Sequence, residues 1–335
     1  MCTAISYKSD HHYFGRNLDL EYSYHEEITI TPRNFHLSFR EAKGLVSHYA
    51  MIGMAYVVDN YPLYYDATNE MGLSMAGLNF PDNAFYPEYR SDKDNITPFE
   101  FIPWVLGLCS SVAEATTLLN RLNLVSIPFS STLPLSPLHW MISDSKSSLV
   151  VESTKDGLKY YDNPTKVLTN NPTFDFQLFT LNNYMGLSPK QPSNPSPFSH
   201  PLSLYSRGLG ALGLPGDYSS QSRFVKAAFV RSCCQTYQNK MAESISPKAF
   251  SEDSLSQFFH ILSSVATPKG CVDVGSEKYQ YTIYSSCCNT DLGIYYYTTY
   301  DNAQIQGINM HHVDLNMDTL FRYPLLMQGS IHWQN

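Results

Sequence analysis

The residue whose position offers the most chemistry is Cys2. It directly follows Met1, and removal of Met1 is expected because the second side chain is small. The cysteine then carries a thiol and a free α-amine together. An α-amine has a pKa of about 7.7–8.0. Near neutral pH it can take the thiol proton directly or through a water, joining nucleophile and base in one residue. Gly15-Arg16-Asn17-Leu18-Asp19 adds a cation and a carboxylate. An arginine beside Cys2 would favour thiolate, and a carboxylate would hold the α-ammonium. In a regular strand, residues 16 and 18 face one side and 17 and 19 the other. Arg16 and Asp19 are therefore expected to share a site only through a bend or bulge after Arg16.

The elements that must carry these residues are mostly strands. Residues 3–7 and 13–16 read as two short strands around the polar turn Lys8-Ser9-Asp10. Residues 27–31, 51–58 and 73–80 are further strands, with 66–70 as a turn before the last. Thr97-Pro98-Phe99-Glu100 has the form of a capping box and opens a first helix. Ser111-Val112-Ala113-Glu114 repeats the box for a second helix to about 122. Residues 139–144 and 149–153 read as paired strands, 222–237 and 254–265 as helices, and 279–287 with 293–300 as a hairpin. Five prolines at 189, 192, 195, 197 and 201 exclude helix or central strand there. They mark a surface excursion, around 187–220, from a single domain spanning 2–335. The order of elements predicts an α+β fold with helices covering sheets. No G-x-G-x-x-G or P-loop pattern follows a strand.

Composition narrows the partners. The 335 residues hold 22 Lys and Arg against 30 Asp and Glu, a net charge of −8, with no basic cluster. Nucleic acid is excluded on that ground. With 43% apolar residues, 25 Tyr and 18 Phe, the chain has ample material for a sheet-rich core. No run approaches 18 apolar residues, so no membrane span is expected. The N-terminus lacks the basic and apolar regions of a signal peptide, which predicts a cytoplasmic location. Seven cysteines stand at 2, 109, 233, 234, 271, 287 and 288. Neither adjacent pair has the C-x-x-C spacing of a zinc site, so no metal is expected. The six downstream thiols read as small buried residues in a reducing compartment. No cofactor is expected.

Several segments together resemble one family. They are Met1-Cys2-Thr3-Ala4, Phe14-Gly15-Arg16-Asn17-Leu18-Asp19, Ile30-Thr31-Pro32-Arg33-Asn34, and the run from Asn69 through Gly77-Leu78-Asn79-Phe80-Pro81. Leu138-His139-Trp140, Thr169-Asn170-Asn171-Pro172 and Gly213-Leu214-Pro215-Gly216-Asp217-Tyr218 with Ser222-Arg223-Phe224 continue it in order. The chain resembles the choloylglycine hydrolase family, the bile salt hydrolases and penicillin V acylases among N-terminal nucleophile hydrolases. The resemblance implies a four-layer αββα sandwich with two stacked antiparallel sheets, and a homotetramer. It implies Cys2 as nucleophile, Arg16 and Asp19 framing it, Asn79 and Asn170 as oxyanion groups, and Arg223 as a further site arginine. Asn171 is not singled out by the motif and reads as a turn residue. The type of chemistry agrees, because amide hydrolysis passes through an oxyanion that fixed N–H donors stabilise.

Conjugated bile salts are the expected substrates, because Asn79 stands where penicillin-type acylases often carry Tyr. Leu18, Tyr65, Phe129 and Leu133 are the side chains expected to line an apolar steroid groove. Penicillin V or a related N-acyl amide is the alternative substrate within the family. Two other classes stay open: a Cys-His protease using a downstream cysteine, and an inactive binding protein of the same fold. No local protease signature supports the first, and His139-Trp140 reads as part of a strand. The complete set of six site residues argues against the second.

Overall fold

The computed structural model describes residues 1–193, 200, 202–241 and 247–335. Along the chain run β1 (Cys2–Lys8), β2 (His12–Leu20), β3 (Glu27–Thr31), β4 (Met51–Val58), β5 (Tyr61–Asn69) and β6 (Ser74–Asn79). Then come β7 (Asp94–Ile96), α1 (Phe101–Leu108), α2 (Val112–Leu119), β8 (Leu122–Leu124), β9 (Leu138–Ser143), β10 (Ser148–Thr154), β11 (Gly157–Asp162) and β12 (Val167–Leu168). The last part holds α3 (Phe174–Thr180), α4 (Ser220–Met241), α5 (Pro247–Ser263), β13 (Val272–Asp273), β14 (Tyr279–Asn289), β15 (Ile294–Thr299), β16 (Asn302–Asn309) and β17 (Phe321–Pro324).

Two large antiparallel sheets result. The first runs β12-β1-β2-β14-β15-β16, with β13 beside β14; the second runs β11-β10-β9-β6-β5-β4-β3-β17. Strands from opposite ends of the chain are thus neighbours, as β2 and β14 are. Side-chain alternation in the second sheet feeds two layers. Ile52, Met54, Ala76, Leu78, Met141 and Val150 join the core shared with the first sheet. Met51, Ala55, Met75, Ile142, Leu149 and Val151 pack with Phe101, Val105, Val112 and Ala115 of α1 and α2. On the far side of the first sheet lie α4 and α5, with Phe224, Phe258, Ile261 and Leu262 buried against it.

Several sequence expectations shift. Residues 66–69, read as turn, lie within β5, because Asp66 is buried and hydrogen-bonded rather than solvated. The first capping box is half made: Glu100 Oε2 accepts the Thr97 amide at 3.0 Å, but Glu100, not Thr97, stands at the N-cap and the helix starts at Phe101. In the second, Ser111 Oγ accepts the Glu114 amide at 3.3 Å. The helix expected at 254 starts seven residues earlier. Strands β7, β8, β11, β12, β13, β16 and β17 and helix α3 are not anticipated by the sequence reading. Pro189 and Pro192 lie outside any helix or strand, while Pro195, Pro197 and Pro201 fall outside the described residues.

Candidate active site

Cys2 opens β1, which pairs with β2 in unbroken register: Cys2 faces Leu18, Thr3 faces Asn17, and Ala4 faces Arg16. Cys2, Ala4 and Ser6 therefore share the inter-sheet face with Arg16 and Leu18. Thr3, Ile5 and Tyr7 point to the helices; Thr3 Oγ1 meets Arg223 of α4, and the Tyr7 ring lies 6.4 Å from Phe258 of α5. No bend follows Arg16. Arg16 and Asp19 stay on opposite faces of β2, and the irregularity expected there lies in the neighbouring strand. In β14 Thr282 pairs with Asp19 and Tyr284 with Leu18, leaving Ile283 as an extra residue. This bulge turns Thr282 to the helical side, where its hydroxyl donates to Asp19 Oδ1 at 2.7 Å. It turns Tyr284 to the inter-sheet side, where its hydroxyl donates to Asp66 Oδ1 at 2.9 Å.

A second bulge works the same way in β5. Met54 pairs with Asp66 and Ala55 with Tyr64, so Tyr65 is the extra residue. Tyr64 packs in the α1 layer, while Asp66 turns inward. Asp66 also accepts the Tyr295 hydroxyl at 2.6 Å and Ser286 Oγ at 3.2 Å. Burial pushes its carboxyl up from the ordinary range, against the pull of Arg16 and these hydroxyls. The Tyr65 carbonyl, released from the strand pairing, accepts Arg16 Nη1 at 3.0 Å, and the Gly77 carbonyl accepts it at 2.5 Å. Burial disfavours the Arg16 charge, but Cys2, Tyr284 and Asp66 outweigh it and raise the guanidinium above its usual pKa. Its Nη2 is buried with no hydrogen-bond partner among the described residues.

The main chain of Cys2 is held from the other side. Its amide donates to Asn170 Oδ1 at 2.7 Å. Arg223 Nη1 donates to the Cys2 carbonyl at 2.5 Å and to Thr3 Oγ1 at 2.7 Å, and Nη2 donates to Asn170 Oδ1 at 2.8 Å. Two donors on one oxygen fix the orientation of the Asn170 carboxamide. Its Nδ2 donates one hydrogen to the Asn79 carbonyl at 2.7 Å; the second hydrogen has no acceptor among the described residues. Burial lowers the Arg223 pKa, opposed by Asp19 and Cys2. Burial raises that of Asp19, opposed by Arg223, the N-terminal ammonium, Thr282 and Arg16. Asp19 Oδ2 is buried and unpartnered among the described residues. Met1 prolongs the pairing: its carbonyl accepts the Asp19 amide at 3.0 Å, and its ammonium donates to Asp19 O at 2.8 Å and Gln280 Oε1 at 3.0 Å.

The expected groove residues are less closely joined. Leu18 lies opposite Cys2, and Tyr65 is the bulge residue beneath Arg16. Phe129 packs with Phe99 at 5.2 Å and Tyr61 at 5.9 Å, with Arg40 over its ring at 5.6 Å. The Leu133 amide donates to Ser130 Oγ at 3.1 Å. Neither Phe129 nor Leu133 shares a hydrogen bond or ring contact with Cys2 among the described residues. A cavity of about 580 Å³, lined by Leu45, Trp104, Leu108 and Leu118, belongs to the α1–α2 layer, not to Cys2. A second, of about 390 Å³, lies by the chain terminus, between Glu21, Tyr22, Lys269 and Tyr281. Sequence reasoning missed Asp66, Thr282, Tyr284 and Tyr295, whose polar groups look ordinary until the bulges set their direction.

The profile described as linear amide C-N hydrolases, choloylglycine hydrolase family, matches residues 2–323. The chain belongs to the choloylglycine hydrolase family. It is 53% identical over 335 residues to a bile salt hydrolase/transferase of Lactiplantibacillus plantarum, covering all of both chains. A solved conjugated bile acid hydrolase from Clostridium perfringens superposes with a TM-score of 0.89 at 39% identity, again over all of both chains. A penicillin V acylase structure from Agrobacterium tumefaciens shares the fold at a TM-score of 0.72 and 21% identity, over 96% of this chain and 90% of that one. The α+β architecture is the αββα sandwich of N-terminal nucleophile hydrolases. Membership of the choloylglycine hydrolase family makes the chain an amidohydrolase of linear amides.

Proposed function

We propose that the protein hydrolyses the amide bond of glycine- and taurine-conjugated bile salts from an N-terminal Cys2. The names of the full-length relatives support the substrate class. The observation that carries the mechanism is the grip on Cys2: its nitrogen on Asn170 Oδ1 and its carbonyl on Arg223. Once Met1 is removed, that nitrogen is the α-amine, and the unpartnered Asp19 Oδ2 is open to its ammonium form. The amine takes the thiol proton, and Sγ attacks the amide carbon. Arg16 Nη2 supplies the neighbouring positive charge. The carbonyl oxygen becomes an oxyanion, received by the Asn79 carboxamide and the spare Asn170 N–H. Collapse breaks the C–N bond, and the ammonium passes its proton to the departing amine. A water then gives a proton to the α-amine and attacks the thioester, releasing the bile acid and regenerating the thiol.

In this reading Leu18, Tyr65, Phe129 and Leu133 contact the steroid, whose large apolar area contributes roughly 25 cal/mol per Å² buried. Comparing kcat/KM for glycocholate, taurocholate and penicillin V on one enzyme batch tests the assignment. The bile salts should turn over faster; a clear preference for penicillin V would leave an amidase with the other substrate. A thioester is open to amines as well as water, so acyl transfer is a second reading, carried by the hydrolase/transferase name of the 53%-identical relative.

We also propose a homotetramer. Phe176, Phe179, Met185, Leu204, Tyr205 and Leu212 are exposed around α3 and the segment before α4, which supports an assembly surface there. Native mass spectrometry tests it. A cytoplasmic location, supported by seven free cysteines, is open to fractionation. No helix among the described residues is long and apolar enough to cross a membrane.

A further inference from the structure

A fully buried acid–imidazole pair lies between the two asparagine segments, and the reaction above does not use it. His139 of β9 and Glu152 of β10 are both 0% exposed, with Nδ1 3.0 Å from Glu152 Oε1. His139 Nε2 donates to the carbonyl of Thr169, the residue before Asn170, at 2.9 Å. The ring face stacks on Phe80, the residue after Asn79, with centroids 4.3 Å apart and planes at 7°. Glu152 Oε1 also accepts the Phe174 amide at 3.0 Å, at the start of α3. From α3, Gln177 donates to the carbonyls of Asn170 and Pro172. A carbonyl only accepts, so Nε2 carries a proton; one further proton lies between Nδ1 and Oε1. Buried pairs of this kind are a weak source of stability compared with apolar residues of the same volume. What this pair supplies is geometry.

We propose that His139, braced by Glu152, is a positioning residue that sets the relative aim of the Asn79 and Asn170 carboxamides. The proposal rests on reading those two asparagines as the oxyanion groups. One ring grips both segments, by its edge at Thr169 and by its face at Phe80. The segments are also tied directly, Asn170 Nδ2 to Asn79 O. Donors preorganised for an oxyanion lose their effect when displaced by a fraction of an ångström to an ångström. His139 shares no hydrogen bond with Cys2 among the described residues, so the reactivity of the thiol itself should survive its loss.

Two reactions at Cys2 separate these roles. With p-nitrophenyl acetate, the Sγ–C bond forms, the ester C–O bond breaks and p-nitrophenolate leaves, through an oxyanion, whatever the natural substrate. With iodoacetamide, Sγ displaces iodide at a saturated carbon and no oxyanion forms. His139→Phe keeps a ring on Phe80 and loses the donor to Thr169; His139→Gln can retain that donor. Acylation should fall about 100-fold in the first and about tenfold in the second, on the scale of one lost oxyanion donor. Alkylation should stay within about threefold of wild type in both, since it bypasses the oxyanion. The proposal is overturned if either variant acylates at the wild-type rate. It also falls if alkylation drops in step with acylation, or if the Phe variant is no slower than the Gln variant. Should His139→Phe not fold, His139→Gln alone decides on the same two rates. A wild-type protein acylated no faster than free cysteine would instead bring down the Cys2 reading, and this proposal with it. A wild type that acylates but ignores bile salts would change only the substrate.

Discussion

The nitrogen of Cys2 lies 2.7 Å from the carboxamide oxygen of Asn170, 168 positions away in sequence. That oxygen also receives Arg223, so it cannot rotate away to offer its amide nitrogen. The main-chain end of Cys2 is thereby fixed independently of its thiol.

While Met1 is attached, this nitrogen is a peptide amide and cannot act as a base. The active protein should begin at Cys2, and its intact mass should be lower than the coded chain by one methionine residue. A preparation shown to retain Met1 should be inactive; full turnover by it would rule out the α-amine. Cys2→Ala should fold and show no turnover.

Arg223 joins Cys2 O, Thr3 Oγ1 and Asn170 Oδ1 through one rigid fork. A lysine ammonium is a point donor on a flexible stem and cannot span the three. Arg223→Lys should lower kcat by about 100-fold, a loss of order 2.7 kcal/mol in the barrier, with KM little altered. Steady-state kinetics with a conjugated bile salt measure both. An unchanged kcat would mean that the fork is dispensable.

Tyr295→Phe removes the 2.6 Å hydroxyl from Asp66 Oδ2. A buried carboxylate stripped of a hydrogen bond costs roughly 1.5–3 kcal/mol. The urea midpoint should fall accordingly, and a midpoint equal to wild type would show that Ser286 and Tyr284 suffice.

His12 is buried between Ser6 Oγ and Thr290 Oγ1, each at 2.8 Å. Burial is the main cause that lowers its pKa to about 4. Between that value and the ordinary 6.5, the unfolded chain binds a proton that the folded protein refuses. Stability therefore falls as pH drops through this window, by on the order of 3 kcal/mol in all. It is fully present above 6.5. Urea unfolding at several pH values should show a shallower slope for His12→Gln; an identical slope would place the dependence elsewhere.

The sequence motifs carried the legible part of the site. Cys2, Asn170 and Arg223 meet, Asn79 touches Asn170 through its carbonyl, and Arg16 faces the thiol electrostatically. Direction was not legible. Asp66 read as a turn residue because an acid amid Ala, Thr and Asn looks solvated. Its partners Tyr284 and Tyr295 are over 200 positions away. Asp19 keeps the face that alternation in β2 gives it, and a bulge in the neighbouring strand brings Thr282 to its carboxylate. Period-two reasoning fails wherever one residue is added, and no composition signal marks Tyr65 or Ile283 as the added ones.

Those two bulges mark the positions where β5 and β14 could each lose a residue without inverting a face. Deleting Tyr65 or Ile283 shortens the chain by only one residue, yet restores plain alternation in its strand. Asp66, then next to Tyr64, and Tyr284, then next to Thr282, would keep their present faces, because each of those pairs already points to opposite sides of its sheet. A two-residue deletion further along the same strand removes more mass but leaves every remaining side chain on its own face. A one-residue deletion at a regularly paired position of either strand is the change that turns over the side chains beyond it.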